Sequence, residues 1–408
     1  MKVENEHFMN AYLSRKLRVI SFILIVMVVF LHAHNISGKG DLLNYYVQNF
    51  ISTGITKISV ALFFVISGYL FFFNIKEGNL QAFLTKIKSR SRTVLLPYLL
   101  WSLWGILLFF LLQSLPFSKS FFNSDLLAEK SSLELLHIFF IKPLPYQLWF
   151  LRHLFVFALL SPLIYFLTKS PIAGLVSFAL ALGLTLYTLF GLQFSILKIA
   201  AIVLALLSVL FYVPKTSYPQ LGILALVLIL LLKIVEIPEN DFIHNRSIAY
   251  FCLGCYLGIH QQKWVKYNFS QFGMVATALW IALVAWRIMG DSQDLINDKL
   301  WRNFIQHFEY FVGIFALWSL YDFFQKGKEN TQKALPTFLA FAFFLYVSHE
   351  PILTIIKKLG LKALGKGSLN QLLLYFAAPL ITIGICIVVG ILLKKITPKI
   401  YSVLTGGR

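Results

Sequence analysis

RKLRVISFILIVMVVFLHAHN, residues 15–35, is the stretch on which the fold turns. Arg15, Lys16 and Arg18 lead into an apolar run that holds no Gly, no Pro and no charge, and the run ends on His32 and His34. A run of this kind crosses, or nearly crosses, a bilayer core, and cations at one end give it a direction. The residues before it (MKVENEHF, 1–8) are polar and mixed in charge, and LHAHN offers no small-residue cleavage site. It therefore reads as a retained first span, not a signal peptide.

Similar runs recur along the chain. Of its 408 residues 58% are hydrophobic and 13% charged, with a mean hydropathy of +0.76; a soluble globule carries roughly 25% charge. Spans are expected near 19–35, 57–74, 93–113, 147–167, 172–190, 195–213, 220–235, 246–260, 270–290, 304–324, 335–355 and 371–393. The fold class is thus an all-α polytopic transmembrane helical bundle of about 12 helices, or 10–11 if some short runs within 172–260 do not cross. With no polar stretch long enough for a soluble unit, residues 1–408 read as a single integral-membrane domain.

Charge orients the spans. The basic groups Arg15–Lys16–Arg18, Lys86–Lys88–Arg90–Arg92, Lys263–Lys266, Lys326–Lys328–Lys333 and Lys394–Lys395–Lys399 fall on one side if both termini are cytoplasmic. The acidic loops 236–241 and 291–298 fall on the other; Lys357, Lys358, Lys362 and Lys366 alone break the pattern. The formal charge of +19 is spread in these short runs. It forms no aromatic-interleaved basic domain, which argues against nucleic acid as a partner. Three cysteines make no disulfide framework, and Cys252 and Cys255, inside the apolar YFCLGCYLG, read as packing residues and not as a metal site.

Ionisable groups inside spans are costly and point to function. His32 lies 14 residues beyond Arg18, about 21 Å along a helix. His349 and Glu350, in YVSHEP, reach a similar depth from the other end of the chain, and Arg152 and His153, in QLWFLRH, enter from the outer side. Arg90 and Arg92 stand at the inner start of the third span. Bland readings stand beside these: His34 as an interfacial hydrogen-bonding residue, Arg152 and His153 as snorkelling groups, Arg90 and Arg92 as ordinary inner-face cations. Depth and charge define a polar site and do not separate enzyme from transporter.

Motifs do. FILIVMVVFLHAHN (22–35), ALFFVISGYLFF (61–72), KSRSRTVLLPY (88–98), LWFLRHLF (148–155), FLYVSHEPI (344–352) and LLKKITPKIYSVLTGGR (392–408) together resemble the membrane-bound acyltransferase-3 family, in order and over nearly the whole chain. The resemblance implies an integral-membrane O-acyltransferase of the bacterial cytoplasmic (inner) membrane. It would take an acyl group, acetyl by preference, from cytoplasmic acetyl-CoA or another acyl-CoA to a glycan or glycolipid hydroxyl, with no metal. His32 matches the family's candidate catalytic histidine, and Arg90 and Arg92 match an R-x-R pair tied to the donor. Many members carry an arginine eleven residues before the histidine; here Ser21 stands there, with Arg18 one turn earlier on nearly the same face.

On this reading His32 acts as general base or as acyl carrier, with His349 sharing the proton or binding acceptor. Glu350 either orients a histidine or caps the helix near Pro351. Arg152, Trp149 and His153 face the acceptor, and Arg90 and Arg92 hold the phosphates of the coenzyme. Ser67 and Gly68 are expected at a close helix packing point. The rival readings are a transporter or flippase of lipid-linked sugars, an acyltransferase acting on lipid or protein, and a degenerate scaffold. The sequence leaves oligomeric state open.

Overall fold

The computed structural model describes residues 11–115, 126–169, 245–260, 265–293, 299–326 and 334–408, with Met9, and apart from positions 37, 39, 74, 76, 77 and 366. The expected spans 172–190, 195–213 and 220–235, the acidic loop 236–241, and Lys263, Lys328, Lys333 and Lys366 lie outside the described residues.

Among the described residues regular structure is entirely helical. In chain order the α-helices are α1 (Ala11–His32), α2 (Leu42–Gln48), α3 (Ile58–Phe72), α4 (Leu80–Arg90), α5 (Leu96–Ser114), α6 (Ser132–Phe140), α7 (Trp149–Leu159) and α8 (Ser161–Thr168). They continue as α9 (Asn245–His260), α10 (Gly273–Ser292), α11 (Lys299–Gln325), α12 (Ala342–Leu364), α13 (Ser368–Ile396) and α14 (Pro398–Thr405). Five helical stretches are long and apolar enough to cross a membrane: Leu42–Phe72, Leu80–Ser114, Ser270–Ser292, Thr337–Leu364 and Ser368–Ile396. At about 1.5 Å per residue the 22 residues of α1 and the 27 of α11 also have the length, though they carry more charge.

Two of the long helices contain π turns with identifiable causes. Pro97 has no N–H for the Thr93 carbonyl, so the chain between α4 and α5 passes through Ser91–Leu95 in π register, with the Leu96 N–H reaching the Ser91 carbonyl. Arg90 closes α4 immediately before that turn, and Arg92 stands on it. Between α2 and α3 the π turn Asn49–Gly54 leaves the Thr53 carbonyl to be met by Arg287 Nη2 at 3.0 Å. Arg287 is itself held by Glu309, with Nε 2.8 and 2.9 Å from its two oxygens, and by Asp291 at 3.3 Å. Gly54 makes the approach possible: a Cβ there would lie 2.3 Å from Val284 Cγ1.

The expected span 147–167 is broken. Pro162 cannot donate to the Ala158 carbonyl, which the Ser161 hydroxyl caps at 2.7 Å, so α7 ends and α8 begins. The apolar pattern ends the eleventh span at residue 355 and places Lys357, Lys358 and Lys362 in a loop beyond it. The helix instead runs on to Leu364, after a single non-helical residue, Glu350 (φ −104°, ψ 136°), ahead of Pro351.

The chain divides into two compact units: Met1–Phe63 with Lys88–Phe155 and Lys263–Arg408, and Phe64–Ile87 with Val156–Gln262. In the first, α10 packs on α11, α12 on α13, and α1 on α12. Its core gathers Ile25, Val29, Tyr98, Leu148, Leu151, Phe344, Val347 and Leu374. In the second, Gly68 and Gly254 bring two helix backbones together: a Cβ on Gly68 would lie 2.2 Å from the Phe251 carbonyl oxygen, and one on Gly254 2.0 Å from that of Val65. Cys252 and Cys255 are free thiols, and Cys255, whose backbone N would lie 2.9 Å from a Cβ on Gly68, is fully buried.

Candidate active site

α1 ends at His32, and α12 brings His349 against it. His32 Nδ1 lies 3.2 Å from His349 Nε2, with the rings 5.4 Å apart and 11° from parallel. The proton positions follow from what surrounds His349. Its Nδ1 faces the Tyr346 carbonyl at 2.7 Å and that of Leu345 at 3.2 Å, and a carbonyl only accepts. Nδ1 of neutral His349 therefore carries the hydrogen and its Nε2 accepts from His32 Nδ1–H. The lone pair left on His32 Nε2 is the basic atom of the pair.

His349 is fully buried and His32 half-buried, with Tyr146 edge-on to His32 at 4.8 Å. Lys357 Nζ donates to the carbonyls of His32 and His34 at 2.7 and 2.8 Å. A cation on the last carbonyls of a helix satisfies orphan acceptors and complements the helix dipole. The segment after His32 is tied down as well. Gln48 donates to Asn35 Oδ1 at 2.8 Å and to Asn44 Oδ1 at 3.0 Å, and Asn44 donates to the Ser368 carbonyl at 2.8 Å.

Glu350 is bound by other groups. Its Oε1 accepts from the Tyr146 hydroxyl at 2.9 Å and its Oε2 from the Thr354 N–H at 3.2 Å. Of the two roles the sequence left open, this geometry is that of a cap on the helix resuming after Pro351. Pro351 also deprives the Val347 carbonyl of a partner, and Gln147 Nε2 supplies one at 3.1 Å. Gln147 Oε1 is buried without a partner, and the Tyr346 hydroxyl donates to the Gln147 carbonyl.

The remaining sequence candidates fall in three places. Trp149 and His153 pair within α7, His153 Nδ1 lying 2.8 Å from the Trp149 carbonyl and the rings 5.0 Å apart. Arg152 is buried within electrostatic reach of Tyr98. Arg90 closes α4, while Arg92 on the π turn is exposed. Arg18 is exposed too. The buried cation of α1 is Lys16, 2.7 Å from Asp322 Oδ1 and 3.9 Å above the Trp318 ring. Among the described residues no group of three or more His, Cys, Asp or Glu side chains is placed to hold a metal ion.

Sequence reasoning missed Lys357, Tyr146 and Gln147. Lys357 follows Glu350 by seven residues, two turns on the same face, and that spacing was its one signal. Tyr146 and Gln147 stand in an irregular 3-10 turn, Tyr146–Leu148, where no periodicity speaks.

The end of α1 and the interior of α12 thus bring two imidazoles, far apart in sequence, into hydrogen-bond contact. The family model described as "Acyltransferase domain" matches residues 16–391. The chain is 23% identical over 407 residues, 98% of its own length and 94% of the relative's, to the succinoglycan biosynthesis protein ExoH of Rhizobium meliloti (strain 1021). No solved structure matches it. The protein is an integral-membrane acyltransferase, and it belongs to the membrane-bound acyltransferase-3 family.

Proposed function

We propose that the protein transfers an acyl group, acetyl by preference, from cytoplasmic acyl-CoA to a hydroxyl of a cell-surface polysaccharide or glycolipid. The relative's part in succinoglycan biosynthesis supports a glycan acceptor. We read residues 1–408 as one domain in the bacterial cytoplasmic membrane, crossing about twelve times with both termini inside.

The His32–His349 contact is the observation that carries this reading. An acceptor O–H gives its proton to His32 Nε2 while the oxygen attacks the thioester carbonyl carbon. The tetrahedral adduct collapses with loss of the C–S bond, and the sulfur leaves as the thiol after taking the proton back from the imidazolium. His349 steadies that imidazolium by accepting from its Nδ1–H, and its own Nδ1–H stays on the Tyr346 carbonyl. The base route is favoured over an acyl-histidine because this arrangement fixes a tautomer for proton exchange.

Lys357 holds the end of α1, and so the height of the His32 ring, through the two carbonyls it binds. Glu350 acts through Tyr146 and the restart of α12 as a positioning residue. We assign Trp149, Arg152 and His153 to the acceptor side and Arg90 with Arg92 to the donor. Phosphate charges do not enter hydrocarbon cheaply, so the donor would keep its nucleotide at the surface and extend only its pantetheine arm inward.

The test is loss of the gene in its host, followed by mass spectrometry of surface glycans. O-acyl groups should disappear, return with the wild-type chain, and stay absent with His32→Ala. Unchanged acylation in the deletion strain would overturn the reading.

A further inference from the structure

His32, the base of the proposed mechanism, is the last residue of α1. Carbonyls in the last turn of a helix find no partner within it, so groups outside the helix decide how firmly that turn is held. Lys357 takes the carbonyls of His32 and His34. The Phe30 carbonyl, two residues before the imidazole, is held by another element. It accepts the Ala33 N–H at 3.1 Å, which tightens the turn, and the Ser52 hydroxyl at 2.7 Å.

Ser52 is 1% exposed and stands in the π turn Asn49–Gly54. Its Oγ also lies 2.8 Å from the hydroxyl of Tyr375, a fully buried residue of α13. A serine has one O–H to give, and a carbonyl only accepts. The Ser52 hydrogen therefore goes to Phe30, and the Tyr375 O–H donates to Ser52 Oγ. Both hydrogens point the same way, from α13 through the π turn to the end of α1. The Tyr375 ring also lies edge-on to that of Phe30, with centroids 6.1 Å apart. The π turn has an anchor of its own, because the neighbouring Thr53 carbonyl takes Arg287 Nη2 at 3.0 Å and Arg287 is fixed by Glu309.

We propose that Tyr375 and Ser52 are positioning residues for the acyl transfer, a relay of two hydroxyls that sets the last turn of α1 and so keeps His32 Nδ1 on His349 Nε2. They act through His32 and not on the substrate. An O–H donated into Ser52 polarises the O–H that Ser52 itself donates, so the Tyr375 hydroxyl strengthens a bond it does not make. A misplacement of about 1 Å at a reacting group can cost 10²-fold in rate, which makes a partial release of this turn legible in kcat. This inference rests on the reading of His32 as the base and adds to it the residues that hold the base in place.

The test is transfer from labelled acetyl-CoA in host membranes that carry the full chain and the native acceptor. Rates per inserted protein are taken over a pH series, with thermal unfolding of each purified variant in parallel. Tyr375→Phe keeps the ring and loses only the first donor, whereas Ser52→Ala removes the centre of the relay. Each should lower kcat about three- to tenfold, the effect of one weakened hydrogen bond, with KM for acetyl-CoA changed less than about twofold. Each should also move the midpoint of the pH profile by about half a unit. Because both act through one carbonyl, the double variant should be no worse than Ser52→Ala. Thr56→Val removes a hydroxyl that bonds the Ser52 carbonyl at 2.9 Å, within the same segment. It should lower the unfolding temperature and leave kcat and the pH profile as in wild type. Wild-type kcat and profile in either relay variant, losses that multiply in the double variant, or an equal shift in Thr56→Val would each overturn the relay while His32→Ala stays inactive. Full transfer by His32→Ala would overturn the base reading and the relay together.

Discussion

His32 Nδ1 and His349 Nε2, 317 residues apart in the chain, stand 3.2 Å from one another with their rings nearly parallel. Because Nδ1 of His349 is committed to backbone carbonyls, the hydrogen between the two rings has one direction, from His32 to His349. On the proposed mechanism one imidazole is then the orienting partner and the other the base.

The two substitutions should accordingly differ. His32→Ala removes the base and should abolish transfer, a loss of about 10²-fold or more. His349→Gln keeps an acceptor near His32 and should retain a fraction of turnover with a displaced pH profile. The measurement is acyl transfer in membranes supplied with labelled acetyl-CoA across a pH series. Equal loss in both variants with no change of profile would refute the division of roles.

Gln147 closes a gap left by Pro351, since its amide meets the Val347 carbonyl. Gln147→Leu would bury that carbonyl unsatisfied, which costs about 1–3 kcal/mol. Thermal unfolding of the purified variant should fall by several degrees, and transfer should fall with it because the carbonyl lies within two residues of His349.

Arg287 and Glu309 form a buried pair that also satisfies the Thr53 carbonyl. Removing one partner of such a pair costs about 3–5 kcal/mol, whereas replacing both with apolar residues costs less. Glu309→Leu should therefore destabilise more than the Arg287→Met, Glu309→Leu double variant. The reverse order in thermal melts would contradict this account.

At Gly254 the space for any side chain is taken by the Val65 carbonyl, and at Gly68 by that of Phe251. Gly254→Val should prevent the two helices from meeting and lower the yield of folded protein in detergent chromatography. Ser67→Ala, one residue from Gly68, should be tolerated. A normal yield of Gly254→Val would show that the backbones separate at little cost.

What sequence determined here is the set of local choices. Apolar runs marked α1, α5, α10, α12 and α13 because the transfer energy of each residue into hydrocarbon is a property of that residue. The motifs singled out His32, His349, Arg90 and Arg152 for the same reason: residue type at a position is visible without a partner. The tertiary structure decided who meets whom. Whether α12 turns His349 or a neighbour toward α1 depends on helix azimuth, and Pro351 and the π turns reset that azimuth by amounts no period of 3.6 predicts. Lys357 looked misplaced by charge counting until the fold set it on the carbonyls of His32 and His34. Arg408 lies over the Phe343 ring in a chain end whose Gly406 packs closely on Thr93, a meeting no local pattern announces. Hydropathy is additive along the chain, whereas hydrogen bonds and guanidinium pairs depend on angles and distances that exist only once the helices have packed.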